Sequence, residues 1–239
     1  MPHRPVFVPS KATGGHYALQ TDRSDHPFEN PLSSYAKLHL LPTDVVADIG
    51  AYVGEYALFA LEQGVRRVYA YEPTPYTFSI LTMNKKPGME LHNLAVVGTD
   101  APFVYLYLSK GIGVTNSVVK SLHKVGAVQV PAIRYERALR DATVVKIDVE
   151  GAEYGFKIVQ PQLRAIVLEF HPLVGKPWLR WAEAIMASIE RAGFTCVERP
   201  SFRSGWSLTG CWQRPLTRLG KRSADRRLED DPSIAAERS

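Results

Sequence analysis

The sequence predicts an α/β fold: a doubly wound, mostly parallel sheet with an antiparallel edge strand. Three observations carry this. Short β-branched runs alternate with helix-patterned stretches between Val45 and Ala192, the order that builds a parallel sheet from βαβ units. The runs end in polar residues, Asp48, Glu72, Asn93, Asp148 and Glu169, and a parallel sheet binds its ligands at the carboxyl ends of its strands. The last two runs, Thr195–Glu198 and Trp206–Trp212, have no helix between them, so one of them pairs antiparallel.

In chain order, residues 1–32 are rich in Pro, Gly, His and polar residues and read as an irregular arm with one short strand at Val6–Val8. A helix follows from about Pro31 to Leu41, capped by Ser33 or Ser34 and broken by Pro42. The first core strand is Val45–Ile49. A helix spans about Gly54–Gln63, and Gly64 suits its end. The second strand, Arg67–Tyr71, leads through Glu72-Pro73 to a helix over about Pro75–Asn84, which stops before Pro87-Gly88. The third strand is Glu90–Asn93, with Leu94–Val97 as an extension. Phe103–Leu108 alternates apolar and aromatic residues, and Val128–Ile133 reads as its partner, so residues 103–133 form an inserted pair of strands around a Gly111–Ser117 loop. After a short helix at Tyr135–Arg140 come a fourth strand, Thr143–Asp148, a helix near Ala152–Gln160, a fifth strand, Ala165–Phe170, and a long helix, Trp178–Ala192, ended by Gly193. The domain spans 33–213. Residues 214–239 turn polar, with Arg214, Arg218, Lys221, Arg222, Arg226 and Arg227 ahead of Glu229-Asp230-Asp231, and read as a solvated flexible tail.

The totals restrict the function classes. A chain of 239 residues, 45% apolar and 22% charged, suits one α/β domain with extensions. No apolar run reaches membrane-span length, and the start has no signal-peptide core. Cys196 and Cys211 have no metal-ligand spacing and read as reduced core residues. These features point to the cytoplasm. A net charge of +5 and a pI near 9.2 are compatible with an anionic partner without requiring one.

Asp48-Ile49-Gly50-Ala51-Tyr52-Val53-Gly54 reads as strand, tight turn and helix start. Gly50 allows a sharp turn and a close backbone approach, Gly54 lets the helix start pack closely, and the first-turn N–H groups are open to a polar ligand. This is not the Gly-x-Gly-x-x-Gly dinucleotide motif. A carboxylate at position 48 repels a pyrophosphate and suits a ligand carrying an amino group; S-adenosylmethionine, zwitterionic at one end and a nucleoside at the other, is such a ligand. Glu72 stands 24 positions after Asp48, one β-α-β step, where a carboxylate can accept from both hydroxyls of a ribose. Pro73 stiffens the turn beside it. Asn93, or the backbone at Leu94-Ala95, lies where an adenine edge would sit.

Lys146, Asp148 and Glu150 alternate, so a persisting strand would put them on one face. A lysine inside an apolar strand needs a carboxylate partner, and Asp148, Glu150 and Glu169 are the candidates. Glu169 and His171 are also two apart. His171 is a candidate general base, because imidazole titrates near neutrality. Two carboxylates with a histidine also allow a divalent metal, which the sequence does not favour over a metal-free site.

Taken together, the glycine turn, Tyr71-Glu72-Pro73, Asn93-Leu94-Ala95-Val96, Lys146-Ile147-Asp148-Val149-Glu150-Gly151-Ala152-Glu153 and Leu168-Glu169-Phe170-His171 resemble the FkbM-like S-adenosylmethionine-dependent methyltransferases over roughly residues 44–171. The resemblance implies a class I methyltransferase (Rossmann-like) fold with seven strands, and methylation of a hydroxyl on a sugar or small metabolite, natural products included, with S-adenosylhomocysteine as the second product. It implies that Asp48, Gly50 and Gly54 surround the methionine part and that Glu72 holds the ribose, with Ala51, Tyr52 and Pro73 also among the cofactor-binding residues. Asn93 and Ala95 would flank the adenine, Asn116-Ser117 would face the cofactor, and Asp148 and Glu150 would sit near the transferred methyl with His171. Relatives often carry Asn where this chain has Tyr52. Two other readings stay open: a ribose 2′-O methyltransferase acting on nucleic acid, motivated by the basic tail but lacking a lysine at the end of the fifth strand, and a catalytically silent partner protein on the same fold. The acceptor and the oligomeric state cannot be read.

Overall fold

The computed structural model describes residues 6–9, 16–19, 35, 37–109, 116–119, 124–200 and 208–215. Its centre is a seven-stranded sheet. In chain order the main strands are β3 (Val45–Ile49), β4 (Arg67–Tyr71), β5 (Met89–His92), β9 (Val144–Ile147), β10 (Ala165–Phe170), β11 (Thr195–Glu198) and β12 (Leu208–Gln213), in the spatial order β11-β12-β10-β9-β3-β4-β5. Neighbours from β10 to β5 are parallel, and β12 runs antiparallel to both β10 and β11. The antiparallel strand therefore sits second from the edge, as a direct connection between the last two strands allows.

The outer elements complete the fold. In the arm, β1 (Val6–Pro9) pairs antiparallel with β2 (His16–Leu19), so the single strand expected there has a partner. A three-stranded sheet, β6-β8-β7, is made of β6 (Ala95–Val97), β7 (Phe103–Ser109) and β8 (Lys124–Arg134). The apparent extension of the third strand belongs to this sheet: Ala95 pairs with Ala132, parallel, across β6 and β8. The helices are α1 (Glu55–Glu62), α2 (Pro75–Met83), α3 (Tyr135–Leu139) and α4 (Trp178–Arg191).

Period-two alternation gives the sheet two buried faces. Ile49, Tyr71, Ile147, Leu168 and Phe170 pack with α3, α4 and Trp212 on one side. Val46, Val68, Val144, Val167 and Cys211 pack with α1 and Leu81 of α2 on the other. Cys196 and Cys211 are free thiols on β11 and β12. Among the described residues no helix is long and apolar enough to cross a membrane.

Two expected helices are shorter than the pattern suggests. Residues 37–41 are turn and irregular chain rather than a helix end, while residues 31–34 and 36 lie outside the described residues, as does most of the Gly111–Ser117 loop and of the basic tail. The stretch after β9 forms only a 3₁₀ turn, Ala152–Gly155, because Gly151, Gly155 and Pro161 are poor helix formers and the Glu153 side chain is fully buried as a local anchor.

Candidate active site

The carboxyl ends of β3, β4, β9 and β10 open into a cavity of about 380 Å³. Gly50, Ala51 and Tyr52 form one wall, Glu72, Pro73 and Ala95 another, and Asn116, Ser117, Asp148 and Glu150 close the far side. Tyr35, Lys146 and Glu169 also reach it. Asp48, Gly54, Asn93 and His171 are not among its lining residues.

Each of these four has a definite place. Asp48 is wholly buried on the α1 face, and Lys146 stands opposite it in the register of β3 and β9. The Lys146 ammonium lies 3.4 Å from Asp48 Oδ1, so the cation that meets Asp48 is supplied by the protein. The direct contact with a ligand ammonium expected for Asp48 is corrected accordingly. Gly54 caps α1 and faces Leu81, whose Cδ1 lies 2.7 Å from where a Cβ would be. Its smallness serves helix packing. Asn93 donates from Nδ2 to the carbonyls of Glu72 at 2.7 Å and Pro73 at 3.1 Å; it holds the loop that carries Glu72 rather than facing an adenine.

Glu72 is buried, and its carboxylate accepts from the N–H of Tyr52 at 3.1 Å and of Thr74 at 2.8 Å. Burial pushes its carboxyl up to about 7, against the pull of the hydrogen bonds from Thr74 and Tyr52. Tyr52 itself has φ 51°, in the left-handed region where Asn is tolerated more readily than an aromatic residue. Asn116 donates from Nδ2 to the Thr74 hydroxyl at 3.3 Å, and its Oδ1 accepts from the Ser109 N–H at 2.9 Å. The Ser117 hydroxyl donates to the Glu150 carbonyl at 2.6 Å. These two residues tie the inserted strands to both walls.

The opposite end is dense in charge. Strand β9 stops at Ile147, and Glu150 reaches the cluster through a left-handed turn, φ 54°, rather than along the extended strand expected from the alternation. Lys146 donates to the Gly50 carbonyl at 2.6 Å and lies 3.5 Å from Asp148 Oδ2. Burial opposes its charge, but Asp148 and Asp48 outweigh that and hold it at about 12. The His171 Nε2 lies 3.6 Å from Asp148 Oδ1, 3.5 Å from Glu150 Oε1 and 3.8 Å from Glu169 Oε1, while Nδ1 lies 3.5 Å from Glu153 Oε1. Burial disfavours the imidazolium, yet Glu153, Glu150 and Asp148 prevail and push His171 up to about 10. The imidazole expected as a general base thus stands among four carboxyl groups, which offer further proton acceptors beside it. Asp148, Glu150 and His171 offer ligand atoms that all lie within 4.8 Å of one another.

Two residues escaped the sequence reading. Glu153, inside the resembling block, accepts from the N–H of His171 and of Gly151, each at 2.8 Å. Tyr35 donates to Glu169 Oε2 at 2.5 Å, with Asp148 Oδ2 at 3.4 Å. Nothing in the spacing marks Tyr35, because it comes from outside the sheet. Removing its hydroxyl takes a hydrogen bond from a charged acceptor, so Tyr35→Phe should lower stability by about 1.5–3 kcal/mol. Denaturant unfolding measures this, and an unchanged midpoint would show that the bond is idle.

A sequence model of the methyltransferase FkbM domain matches residues 48–196. The chain belongs to that family. The matched span of this FkbM-domain methyltransferase runs from Asp48 through the glycine turn, Glu72 and the charged cluster to Cys196, and Tyr35 precedes it. No curated protein matches the chain. Among solved structures it is similar to M. jannaschii TYW2 in complex with AdoMet, at 13% identity and TM-score 0.44 over 89% of this chain and 88% of that one. It is likewise similar to P. horikoshii TYW2 in complex with MeSAdo, at 14% identity and TM-score 0.45 over 87% and 70%. A third is the precorrin-6y C5,15-methyltransferase from Geobacter metallireducens, at 17% identity and TM-score 0.43 over 77% and 86%.

Proposed function

We propose that this FkbM-domain methyltransferase uses S-adenosylmethionine to methylate a hydroxyl of a sugar or small metabolite. The observation that carries the reading is one cavity with two chemically different ends: a braced, buried Glu72 beside the glycine turn, and the Asp148–Glu150–Glu169 carboxylates at the other. The residues fit the cofactor. Glu72 keeps acceptor capacity for two ribose hydroxyls beyond its two backbone bonds. Leu94, Ala95 and Val96 give an apolar wall for a base, and the Gly50–Tyr52 turn gives backbone groups for the amino-acid end.

The cofactor supplies a methyl group already activated on a sulfonium. The protein then has to position an acceptor oxygen in line and take its proton. Asp148, Glu150 and Glu169 line that end of the cavity and would surround such an oxygen, and one of them would take its proton. Lys146 is the sole cation lining the cavity among the described residues, against Glu55, Glu72, Asp148, Glu150 and Glu169. Such a surface repels a polyanion, which supports an uncharged polyol over the nucleic-acid acceptor that the basic tail suggested.

Calorimetric titration with S-adenosylmethionine, and NAD as control, tests the reading. Micromolar binding, about −8 kcal/mol, is expected for the first and none for the second. Because burial raises Glu72 to about 7 and its ionised form holds the hydroxyls, the affinity should be full at pH 8 and about tenfold weaker at pH 6, with a proton released on binding below pH 7. Glu72→Gln should bind weakly at both values. Tight NAD binding, or no binding of S-adenosylmethionine at any pH, would overturn the reading.

A further inference from the structure

We infer that Asp148, Glu150 and His171 bind one divalent cation of the Mn²⁺ or Mg²⁺ class at the acceptor end of the cavity. The inference deepens the proposed function and rests on it for the cation's role, although not for its binding. The first support is geometric. Asp148 Oδ1 and Glu150 Oε1 stand 3.6 Å and 3.5 Å from His171 Nε2, beyond the usual range of an N–H···O hydrogen bond. Donor atoms each about 2.1 Å from a shared ion stand roughly 3–4 Å apart.

The second support does not involve the Asp148 and Glu150 carboxylates. The His171 side chain is nine-tenths buried, and its Nδ1 has no hydrogen-bond partner. Its backbone is clamped from both directions: the N–H donates to Glu153 Oε1 at 2.8 Å, and the C=O accepts from the Tyr154 hydroxyl at 2.9 Å. The ring therefore points Nε2 into the cluster and Nδ1 toward the buried Glu153 carboxylate, 3.5 Å away. A metal-bound histidine usually has this arrangement, with a carboxylate behind the second ring nitrogen to fix the ring and raise its basicity. Glu153 has no exposed surface and is itself held by the Gly151 N–H at 2.8 Å.

Charge points the same way. Asp48, Asp148, Glu150, Glu153 and Glu169 crowd around one lysine and one imidazole. Carboxyl groups outnumber basic groups five to two in this cluster, a donor set suited to a dication. Two carboxylates and one imidazole suit Mn²⁺, which accepts both oxygen and nitrogen ligands, with water or the acceptor filling the remaining positions. A hydroxyl bound there loses its proton more readily. The proton passes to Glu169, the C–S bond of the sulfonium breaks as the C–O bond forms, and S-adenosylhomocysteine and the methyl ether result. A diol or hydroxy-carbonyl acceptor, able to chelate through two oxygens, is the class such a site selects.

The test is Mn²⁺ titration of the chelator-treated full chain, followed by electron paramagnetic resonance. One ion per chain is expected, and pulsed measurements on the bound ion should show coupling to an imidazole nitrogen. Glu150→Gln and His171→Asn should weaken binding at least tenfold. Glu153→Gln, which reaches the ion only through the ring, should weaken it about 10–100-fold, and the exposed Glu90→Gln should leave it unchanged. The wild-type nitrogen coupling needs no variant, so a variant that fails to fold does not decide the matter. Absence of Mn²⁺ binding at millimolar concentration, or bound Mn²⁺ without nitrogen coupling, overturns the inference. Calorimetry with S-adenosylmethionine on the same metal-free sample separates the two ideas: cofactor binding without Mn²⁺ binding overturns the metal site alone, and loss of both overturns the methyltransferase reading with it.

Discussion

Gly50→Ala should yield a chain that neither folds to the wild-type midpoint nor binds S-adenosylmethionine. Gly50 has φ +76°, and an added Cβ would lie 1.7 Å from the Asp148 carbonyl oxygen and 2.9 Å from its carbon. Neither backbone can give way. The Gly50 N–H and the Ala51 N–H both donate to the Tyr71 carbonyl, at 3.0 Å and 2.9 Å, and the Asp148 N–H donates to the Ile49 carbonyl at 3.0 Å. The Gly50 carbonyl also accepts from Lys146 at 2.6 Å. One methyl group would thus push apart the turns after β3 and β9, the two that make the floor of the cavity. A left-handed conformation adds strain for alanine. The combined loss should be about 4 kcal/mol or more, the range reserved for disrupted backbone and core. Denaturant unfolding beside Gly126→Ala measures it, because a Cβ at Gly126 meets nothing within 4 Å. A Gly50→Ala chain with the midpoint of the Gly126→Ala control would show that the two turns can separate.

That glycine also shows how far the sequence can be read. The Asp-x-Gly-x-x-x-Gly spacing revealed a strand, a turn and a helix, because only a few backbones need glycine at those offsets. It did not reveal what each glycine approaches. Gly50 meets the Asp148 backbone, and Gly54 meets Leu81. Both approaches link segments far apart in the chain, and no local pattern encodes them. The same limit applies to Asn93 and Asp48. Their positions after strands marked them as polar residues at the ligand edge, yet one holds a loop and the other a lysine. Strand ends were legible because β-branched runs stop abruptly. The 3₁₀ turn after β9 was not, since the alternation of strands with helices suggested a helix over Ala152–Gln160, whereas Gly151, Gly155 and the burial of Glu153 under His171 hold it to one turn. Tyr35 lay furthest from view: it reaches Glu169 across 134 positions of chain.

Lys146→Met should be as damaging as Gly50→Ala, for an electrostatic reason. Lys146 is 5% exposed, and its ammonium lies between Asp48 Oδ1 at 3.4 Å and Asp148 Oδ2 at 3.5 Å. Asp48 has no exposed surface, and Lys146 is the cation beside it. Its ionised form depends on the lysine, for burial by itself pushes the Asp48 carboxyl up and Lys146 opposes that push. Methionine fills much of the space of the lysine chain without its charge. Asp48 would then be left as an uncompensated buried group, a change that costs about 3–5 kcal/mol. The Gly50 carbonyl would lose its donor as well. The double variant Lys146→Met/Asp48→Asn separates the possible causes. Removing both members of a buried pair is often close to neutral, so the double variant should regain most of the lost stability, giving a coupling of about 2–3 kcal/mol between the two sites. Turnover should not return with it, because Asp148 would still lack the cation that sets its carboxylate against His171. Stability recovered together with turnover would make Lys146 a structural partner of Asp48 alone. Stability that stays low in the double variant would mean that the Gly50 carbonyl, not the carboxylate, is what the lysine holds in place.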